Sequence, residues 1–174
     1  VSLISGIVLK FSGQYLSRER GFFRFYLFLS SVISSLLIIA YSADLDSLIV
    51  AWEVVGICSV MLISFFPRHE RGAESAMIAL FSYKFGDTAL LVLSGWMHHK
   101  FHDASYDVLA AHRGGLFVPA ILILAVLPKS AQFPFSSWIK RAVEGPSAST
   151  AIFYGALSIH LWPFLILRFY DVVF

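Results

Sequence analysis

The sequence predicts an all-α protein, a polytopic transmembrane bundle of about six membrane segments with one broken helix. Of its 174 residues, 58% are hydrophobic and only 14% are charged, whereas soluble domains average about 45–50% apolar and about 25% charged residues. At about 20 residues per crossing, the apolar content suffices for five or six spans and leaves no room for an extramembrane domain. We therefore expect residues 1–174 to form a single membrane domain.

Composition and motifs also exclude several classes of function. The net charge of +2 is too small to indicate a nucleic acid as partner. The single cysteine, Cys58, excludes an internal disulfide framework and a cysteine-rich metal site. There is no phosphate-binding loop, dinucleotide fingerprint, nucleophile elbow, or haem or iron–sulfur ligand pattern. We expect no metal and no redox cofactor to be bound by this chain itself.

Six apolar segments follow one another along the chain, separated by linkers with turn residues. They cover residues 3–16, 22–41, 45–66, 73–97, 116–138 and 147–170. Because most of the linkers are short, consecutive spans are expected to lie side by side and antiparallel in a compact bundle.

The first two segments mainly indicate how the chain is oriented in the membrane. Residues 3–16 are short and interrupted by Lys10, so they form either a truncated span or a helix at the membrane interface. Residues 22–41 are long enough to cross and contain only Arg24 as a charge. Basic residues are more numerous after odd-numbered segments (Arg18, Arg20, Arg24, Arg68, Arg71, Lys140, Arg141) than after even-numbered ones (Lys100, Arg113, Arg168). The positive-inside rule places the first set at the cytoplasm or matrix and favours the first segment as a true crossing.

The third segment holds one acid near its middle, Glu53. On a helix, Glu53 and Gly56 share a face, and Gly56 would let a neighbouring helix approach beside the carboxylate. Insertion scales put a charged residue at a helix centre about 2.5–3.5 kcal/mol uphill, so intramembrane acids are functional candidates. Glu53 is either an acid that takes up a proton or tunes a nearby lysine, or a structural partner for one basic residue.

The fourth segment contains Lys84 and Asp87, which are three residues apart and share a helix face. Gly86 between them permits close backbone approach. The pair is either a step in a proton relay or a self-satisfied ion pair at a helix–helix contact.

The fifth segment predicts the broken helix. Its apolar run ends at Leu127 and is followed by Pro128 and Lys129, with Pro134 further along. Because neither proline can donate a backbone hydrogen bond, two carbonyls are freed inside the membrane, which is tolerated only in a cavity or within protein. Interrupted helices of this kind mark ion sites in transporters. Lys129 is therefore a proton carrier, unless it only reaches to the interface from the end of a span.

Histidines and a tyrosine complete the candidates. His160 lies midway in the sixth segment, which is also interrupted by Pro163 and Arg168, and it is a candidate relay residue or a packing residue. Tyr154 either carries a proton through its hydroxyl or packs. The remaining candidates lie in the longest linker and are expected to be solvated loop residues: His98, His99 and His102.

Four sequence blocks together resemble a known family. They are Trp52-Glu-Val-Val-Gly-Ile-Cys58, Tyr83-Lys-Phe-Gly-Asp87, Lys129-Ser-Ala-Gln-Phe-Pro-Phe-Ser-Ser-Trp138 and Glu144-Gly-Pro-Ser-Ala-Ser149. In order and spacing they are similar to the chain-5-type antiporter-like subunits of respiratory complex I, NADH:ubiquinone oxidoreductase. The block at Lys129 is the most specific, and the resemblance runs from the first segment to Arg168.

The resemblance implies a role for each matching residue. Glu53 matches the buried glutamate that pairs with a lysine on the broken helix, and Lys129 matches that lysine, the proton carrier of the first half-channel. Lys84 and Asp87 match a basic residue and an aspartate beside this pair. The family has two inverted repeats, and this chain corresponds to the first repeat plus the preceding helix.

The chain departs from the family pattern in three places. Pro128 stands where glycine is usual, and Ala148 replaces a second proline. Tyr154 stands where many members have a central-axis histidine, so the usual route from Lys129 to the bundle centre lacks that histidine, and His160 is a candidate substitute. The second repeat and the lateral helix are also absent from these 174 residues.

The resemblance sets expectations for partners and location. A second chain would supply the missing C-terminal repeat and lateral helix, beside other membrane-arm subunits, and flavin, iron–sulfur clusters and ubiquinone would reside elsewhere in the complex. The expected location is the mitochondrial inner membrane, with the bacterial plasma membrane as the alternative. Two other functions stay open: a subunit of a cation/proton antiporter or a related hydrogenase or bicarbonate-uptake complex, and a non-conducting structural fragment of complex I.

Overall fold

The regular structure of the described residues is helical. The computed structural model describes residues 1–19, 21–66, 70–111, 115–151 and 158–170. The helices are α1 (Ser2–Tyr15), α2 (Phe22–Tyr41), α3 (Leu45–Ile63), α4 (Glu70–Phe101), α5 (Tyr106–Ala111), α6 (Phe117–Lys129), α7 (Ser137–Arg141), α8 (Ser147–Thr150) and α9 (Leu161–Arg168). Single 3-10 turns lie at Ala142–Glu144 and Ser158–His160. This composition confirms the predicted all-α fold class.

Three helices of the described residues are long and apolar enough to cross a membrane: α2, α3 and Arg71–Phe101 of α4. The apolar helix α6 has only 13 residues, and the 14 residues of α1 would be about 21 Å long, short of a hydrocarbon core of about 30 Å. The predicted count of six spans is therefore not confirmed by helix length, although α2 begins and ends where the sequence predicts.

Neighbouring helices pack in sequence order, α2 against α3, α3 against α4, and α4 against α6. The core between them is apolar, with Phe25, Leu48 and Leu93 among its fully buried side chains. Gly86 lies at the contact between α4 and α6, where an added Cβ would lie 2.5 Å from the carbonyl oxygen of Ala125. The prediction that Gly86 permits close backbone approach is therefore confirmed.

Side chains bond to backbone groups at the ends of the long helices. The carboxylate of Asp44 accepts a 2.7 Å hydrogen bond from the amide of Ser47 and so caps the start of α3. Arg24 donates to the carbonyl of Phe65 at 2.9 Å, just beyond the end of α3. Arg168 donates to the carbonyl of Ala40 at 2.7 Å, at the end of α2. Both arginines place positive charge where a helix dipole is negative.

The fifth predicted segment is interrupted. Helix α6 ends at Lys129, and α7 starts only at Ser137, so the helix break predicted at Pro128 and Lys129 is confirmed. The sixth segment contains α8 and α9, with residues 152–157 outside the described part of the chain.

Helix α4 continues beyond the predicted segment to Phe101. His98 and His99 consequently lie in its last turn, which corrects the expectation that they are loop residues. The long linker also contains the short helix α5.

Candidate functional site

Four charged side chains from three helices form a continuous series, here called the charge chain. Glu53 of α3 pairs with Lys84 of α4. Asp87, one turn further along α4, has one carboxylate oxygen 3.6 Å from the Lys84 ammonium and the other 3.3 Å from the ammonium of Lys129 on α6. The charges therefore alternate from Glu53 to Lys84, Asp87 and Lys129, and the series is neutral as a whole.

The charge chain runs from the interior of the bundle to its surface. The side chains of Lys129 and Asp87 are 5% and 2% exposed, whereas those of Lys84 and Glu53 are 47% and 25% exposed. One end is thus enclosed by protein, and the other end opens onto the side of the described bundle.

The ammonium group of Lys129 is held by groups from α3 and α4. It donates a hydrogen bond to the backbone carbonyl of Trp52 and lies 4.5 Å from the centre of the Trp52 ring and 5.8 Å from that of Tyr83. Aromatic faces attract cations, most strongly where water is excluded. A Cβ at position 56 would lie 3.4 Å from the Lys129 nitrogen. The nearest atoms around Gly56 are thus side-chain atoms of Lys129 and Tyr83 at ordinary contact distances, and not the neighbouring helix backbone that the sequence predicts.

The helix break lies directly after Lys129 and so fixes the position of this residue at the end of α6. Pro128 lies inside the last turn of α6, and its carbonyl accepts a 2.7 Å hydrogen bond from the indole nitrogen of Trp138. The Ser130 hydroxyl bonds the carbonyl of Val126 at 2.8 Å. Side chains therefore bond carbonyls at the interrupted end of α6, as buried irregular backbone requires.

The pairing inside the charge chain differs from the one implied by the family resemblance. Glu53 is expected to pair with Lys129, but its partner is Lys84, and Lys129 pairs with Asp87. The reason is the order of the helices. Lys84 and Asp87 belong to α4, which packs against both α3 and α6, so they lie between the outer acid and the inner lysine.

Of the two candidate relay residues of the sixth segment, the structure describes His160, which is not part of the charge chain. His160 is exposed and lines a small apolar cavity with Leu36, Ile39 and Phe164 beside α2. Tyr154 lies outside the described residues. A relay role for either residue stays a prediction.

A second polar cluster was missed by the sequence analysis, and we call it the seam-end cluster. It comprises Asp46 in the first turn of α3 with Ser94 and His98 of α4. The Ser94 hydroxyl donates to one Asp46 carboxylate oxygen at 2.6 Å, and a ring nitrogen of His98 lies 2.8 Å from the other. A signal was available, since Asp87, Ser94 and His98 are spaced by seven and four residues and so share a helix face.

The sequence profile of the family described as NADH:quinone oxidoreductase/Mrp antiporter, TM, matches residues 42–174. This range includes the complete charge chain and the broken helix. The chain belongs to this family. The match confirms the resemblance drawn from the blocks at Glu53, Lys84 and Lys129, and with the three long apolar helices it places the chain in a membrane.

Curated relatives within the NADH:quinone oxidoreductase/Mrp antiporter family carry oxidoreductase names. The chain is 28% identical over 176 residues to NADH-ubiquinone oxidoreductase chain 5 of Anopheles quadriannulatus, with 99% of this chain and 66% of the relative covered. It is 27% identical over 182 residues to NADH-quinone oxidoreductase subunit L of Campylobacter jejuni, with 99% and 30% covered. The chain thus spans from under a third to about two thirds of these relatives.

In solved structures of two membrane complexes, part of one chain has the same arrangement of helices as this protein. The Mrp complex from Dietzia superposes with a TM-score of 0.86 at 25% identity, over 98% of this chain and 19% of that chain. The membrane-bound sulfane sulfur reductase, an archaeal respiratory membrane complex, superposes with a TM-score of 0.81 at 19% identity. The second likeness concerns the fold alone.

Proposed function

We propose that this chain carries the first half-channel of a proton-translocating membrane-arm subunit of NADH:ubiquinone oxidoreductase. The observation that carries the proposal is the contact between Asp87 and Lys129 at the end of the broken helix, where both side chains are almost fully buried. A buried, hydrogen-bonded amine beside a carboxylate is a group whose proton occupancy responds to nearby charge.

In the proposed mechanism the charge chain transmits an electrostatic change inward. If a charge in a neighbouring subunit draws Glu53 away from Lys84, the Lys84 ammonium interacts more strongly with Asp87. Asp87 then compensates Lys129 less well, and Lys129 transfers its proton to a water molecule that enters the half-channel, because an unpaired buried charge is costly. Return of Glu53 restores the original pairing, and Lys129 takes up a proton. No redox chemistry occurs in this chain under this proposal, and flavin, iron–sulfur clusters and ubiquinone belong to other subunits.

The exposed end of the charge chain supports a protein partner in the membrane. Lys84 is half exposed at the middle of α4, where contact with lipid is strongly unfavourable for a charge. Exposed apolar side chains lie close to this pair along α3 and α4, among them Phe81, Phe85 and Ile57. We propose that other membrane-arm subunits cover this surface, and that the remaining part of the family's length, including the second repeat, completes the pump. The proposed location is the mitochondrial inner membrane.

A cation/proton antiporter is the second candidate function, because the Mrp complex superposes over nearly the whole chain. Mass spectrometry of the assembly purified through this chain distinguishes the two. We expect flavoprotein and iron–sulfur subunits together with a polypeptide that carries the second repeat. Recovery of antiporter subunits without any redox subunit would favour the second function and contradict the first.

Substitution of Lys129 by alanine tests the proposed function directly. We expect proton translocation by the assembled complex in vesicles to fall by at least about tenfold, because the variant lacks the buried proton carrier. The matched control is Lys140→Ala, which removes an exposed lysine just beyond the break and is expected to leave translocation unchanged. Normal pumping by an assembled Lys129→Ala complex would overturn the proposal, as would equal losses in the two variants.

A further inference from the structure

Trp52 contacts the proton carrier twice, once with its backbone and once with its ring. The Lys129 ammonium donates a hydrogen bond to the Trp52 carbonyl and lies 4.5 Å from the centre of the ring. Both contacts come from one residue of α3, whereas the counter-ion Asp87 belongs to α4. The ammonium is therefore held jointly by a carboxylate of α4 and by Trp52 of α3.

The indole nitrogen of Trp52 does not explain why a tryptophan stands at this position. The nitrogen is buried, and among the described residues none accepts a hydrogen bond from it. A buried N–H group without an acceptor is unfavourable, and phenylalanine would fill much of the same space without that penalty. What tryptophan adds is a ring face that attracts cations more strongly than the face of phenylalanine or tyrosine. The contact of this face with Lys129 therefore accounts for the tryptophan.

Trp138 shows the opposite use of an indole beside the helix break. Its nitrogen donates a 2.7 Å hydrogen bond to the carbonyl of Pro128, the residue that precedes Lys129. Both tryptophans are 1% exposed. Trp138 thus bonds the backbone at the end of α6, while Trp52 contacts the charged end of the Lys129 side chain. The two indoles hold different parts of the break through different groups.

Trp52 also lies next to the outer acid of the charge chain. Glu53, the following residue, pairs with Lys84. Helix α3 therefore contacts the inner lysine through residue 52 and the outer lysine through residue 53. Since the two residues are adjacent in one helical turn, a displacement of this turn changes both contacts together.

We propose that Trp52 is a positioning residue for the proton carrier, which holds the Lys129 ammonium beside Asp87 through the face of its ring. This inference rests on the proposed function. When Lys129 is loaded, an N–H bond forms at its nitrogen as an O–H bond of a hydrated proton breaks, and the reverse step unloads it. The ring attracts the ammonium but not the neutral amine, because the attraction is between a positive charge and the ring quadrupole. Trp52 therefore favours the loaded lysine at the place where Asp87 compensates its charge.

The test replaces Trp52 by fluorinated tryptophans, incorporated at this position alone, in the assembled complex in liposomes. Ring fluorines withdraw electron density from the face and weaken its attraction for a cation, while the shape of the side chain is nearly kept. We expect proton flux, followed with a pH-sensitive dye, to fall stepwise from one to four fluorines and to reach about a tenth of its original value. Trp52→Leu is expected to match the lowest flux, and Trp52→Phe to retain an intermediate one.

Trp96 provides the matched control, because its ring lies 5.2 Å from the ammonium of Lys100, an exposed cation outside the charge chain. The same fluorinated residues at position 96 are expected to leave the flux unchanged. Equal effects at the two positions, or a flux that does not depend on fluorination at position 52, would overturn the inference. Lys129→Ala is measured in parallel. If it reduces flux while fluorination at position 52 does not, only this inference fails; if Lys129→Ala retains full flux, the proposed function itself fails.

Discussion

Replacing Asp87 by asparagine is expected to lower the free energy of unfolding of the bundle by about 3–5 kcal/mol, the usual effect of removing one member of a buried ion pair. Asp87 is the only acidic member of the charge chain that contacts both lysines, at 3.6 Å from Lys84 and 3.3 Å from Lys129. Its loss leaves Lys84 with Glu53 but leaves Lys129 buried without a carboxylate. The same change is expected to stop proton transfer, because the series of alternating charges is interrupted at its centre.

The matched control breaks an exposed ion pair whose acidic member lies on the same helix, α4. Glu74 accepts a 2.8 Å hydrogen bond from Arg141, with side chains that are 67% and 47% exposed, so Glu74→Gln is expected to change stability by at most about 1 kcal/mol. Thermal unfolding of the assembled complex, followed through a fluorescent tag on this chain, measures both variants. Equal destabilisation in the two would show that Asp87 is not a buried counter-ion.

Adding Lys129→Met to the Asp87 variant separates stability from function. Methionine has a similar length without the charge, so the double variant is expected to recover much of the lost stability. Proton translocation is expected to remain absent, because no proton carrier is left at the break. Recovery of both properties would mean that the two residues only lock the bundle together.

The sequence alone predicts the helices better than it predicts which charged side chains pair between them. The apolar run at 22–41 predicts both the first and the last residue of α2, since a span must be continuous and apolar to enter lipid. The break after Lys129 is equally predictable, because Pro128 lacks a backbone donor whatever surrounds it. These features depend on local covalent chemistry.

Which side chains pair across helices depends on how each helix is rotated about its axis and on how deep each residue lies in the bundle. Local sequence encodes neither. Lys84 and Asp87 share a helix face in any tertiary arrangement, but only the packing of α4 between α3 and α6 makes them bridge Glu53 to Lys129. The pair of Asp46 and His98 joins residues 52 positions apart, so no short motif reveals it. The number of spans does not follow from composition for a related reason, because an interrupted segment such as 116–138 has the composition of one span but contains parts of two helices.

Gly86 is the position at which the scaffold most directly controls the charge chain. It adjoins Asp87 and lies against the backbone of Ala125, four residues before Lys129 on α6. An added Cβ would lie 2.5 Å from the Ala125 carbonyl oxygen and 3.3 Å from the Pro128 ring. Neither is the end of a flexible side chain, so the two helices must separate to accept even a methyl group.

Gly86→Ala is therefore expected to destabilise the bundle by about 1–3 kcal/mol, as overpacking usually does, and to slow proton translocation as Asp87 and Lys129 move apart. Gly95→Ala provides the control on the same helix, since an added Cβ there meets nothing within 4 Å. Alanine favours helix over glycine by about 1 kcal/mol, so this variant is expected to be neutral or more stable. The comparison uses thermal unfolding and proton flux in the same assembled complex. If the two glycines respond alike, close approach of α4 and α6 does not set the distance between Asp87 and Lys129. If only Gly86→Ala loses flux, the spacing of two backbones governs the proton carrier.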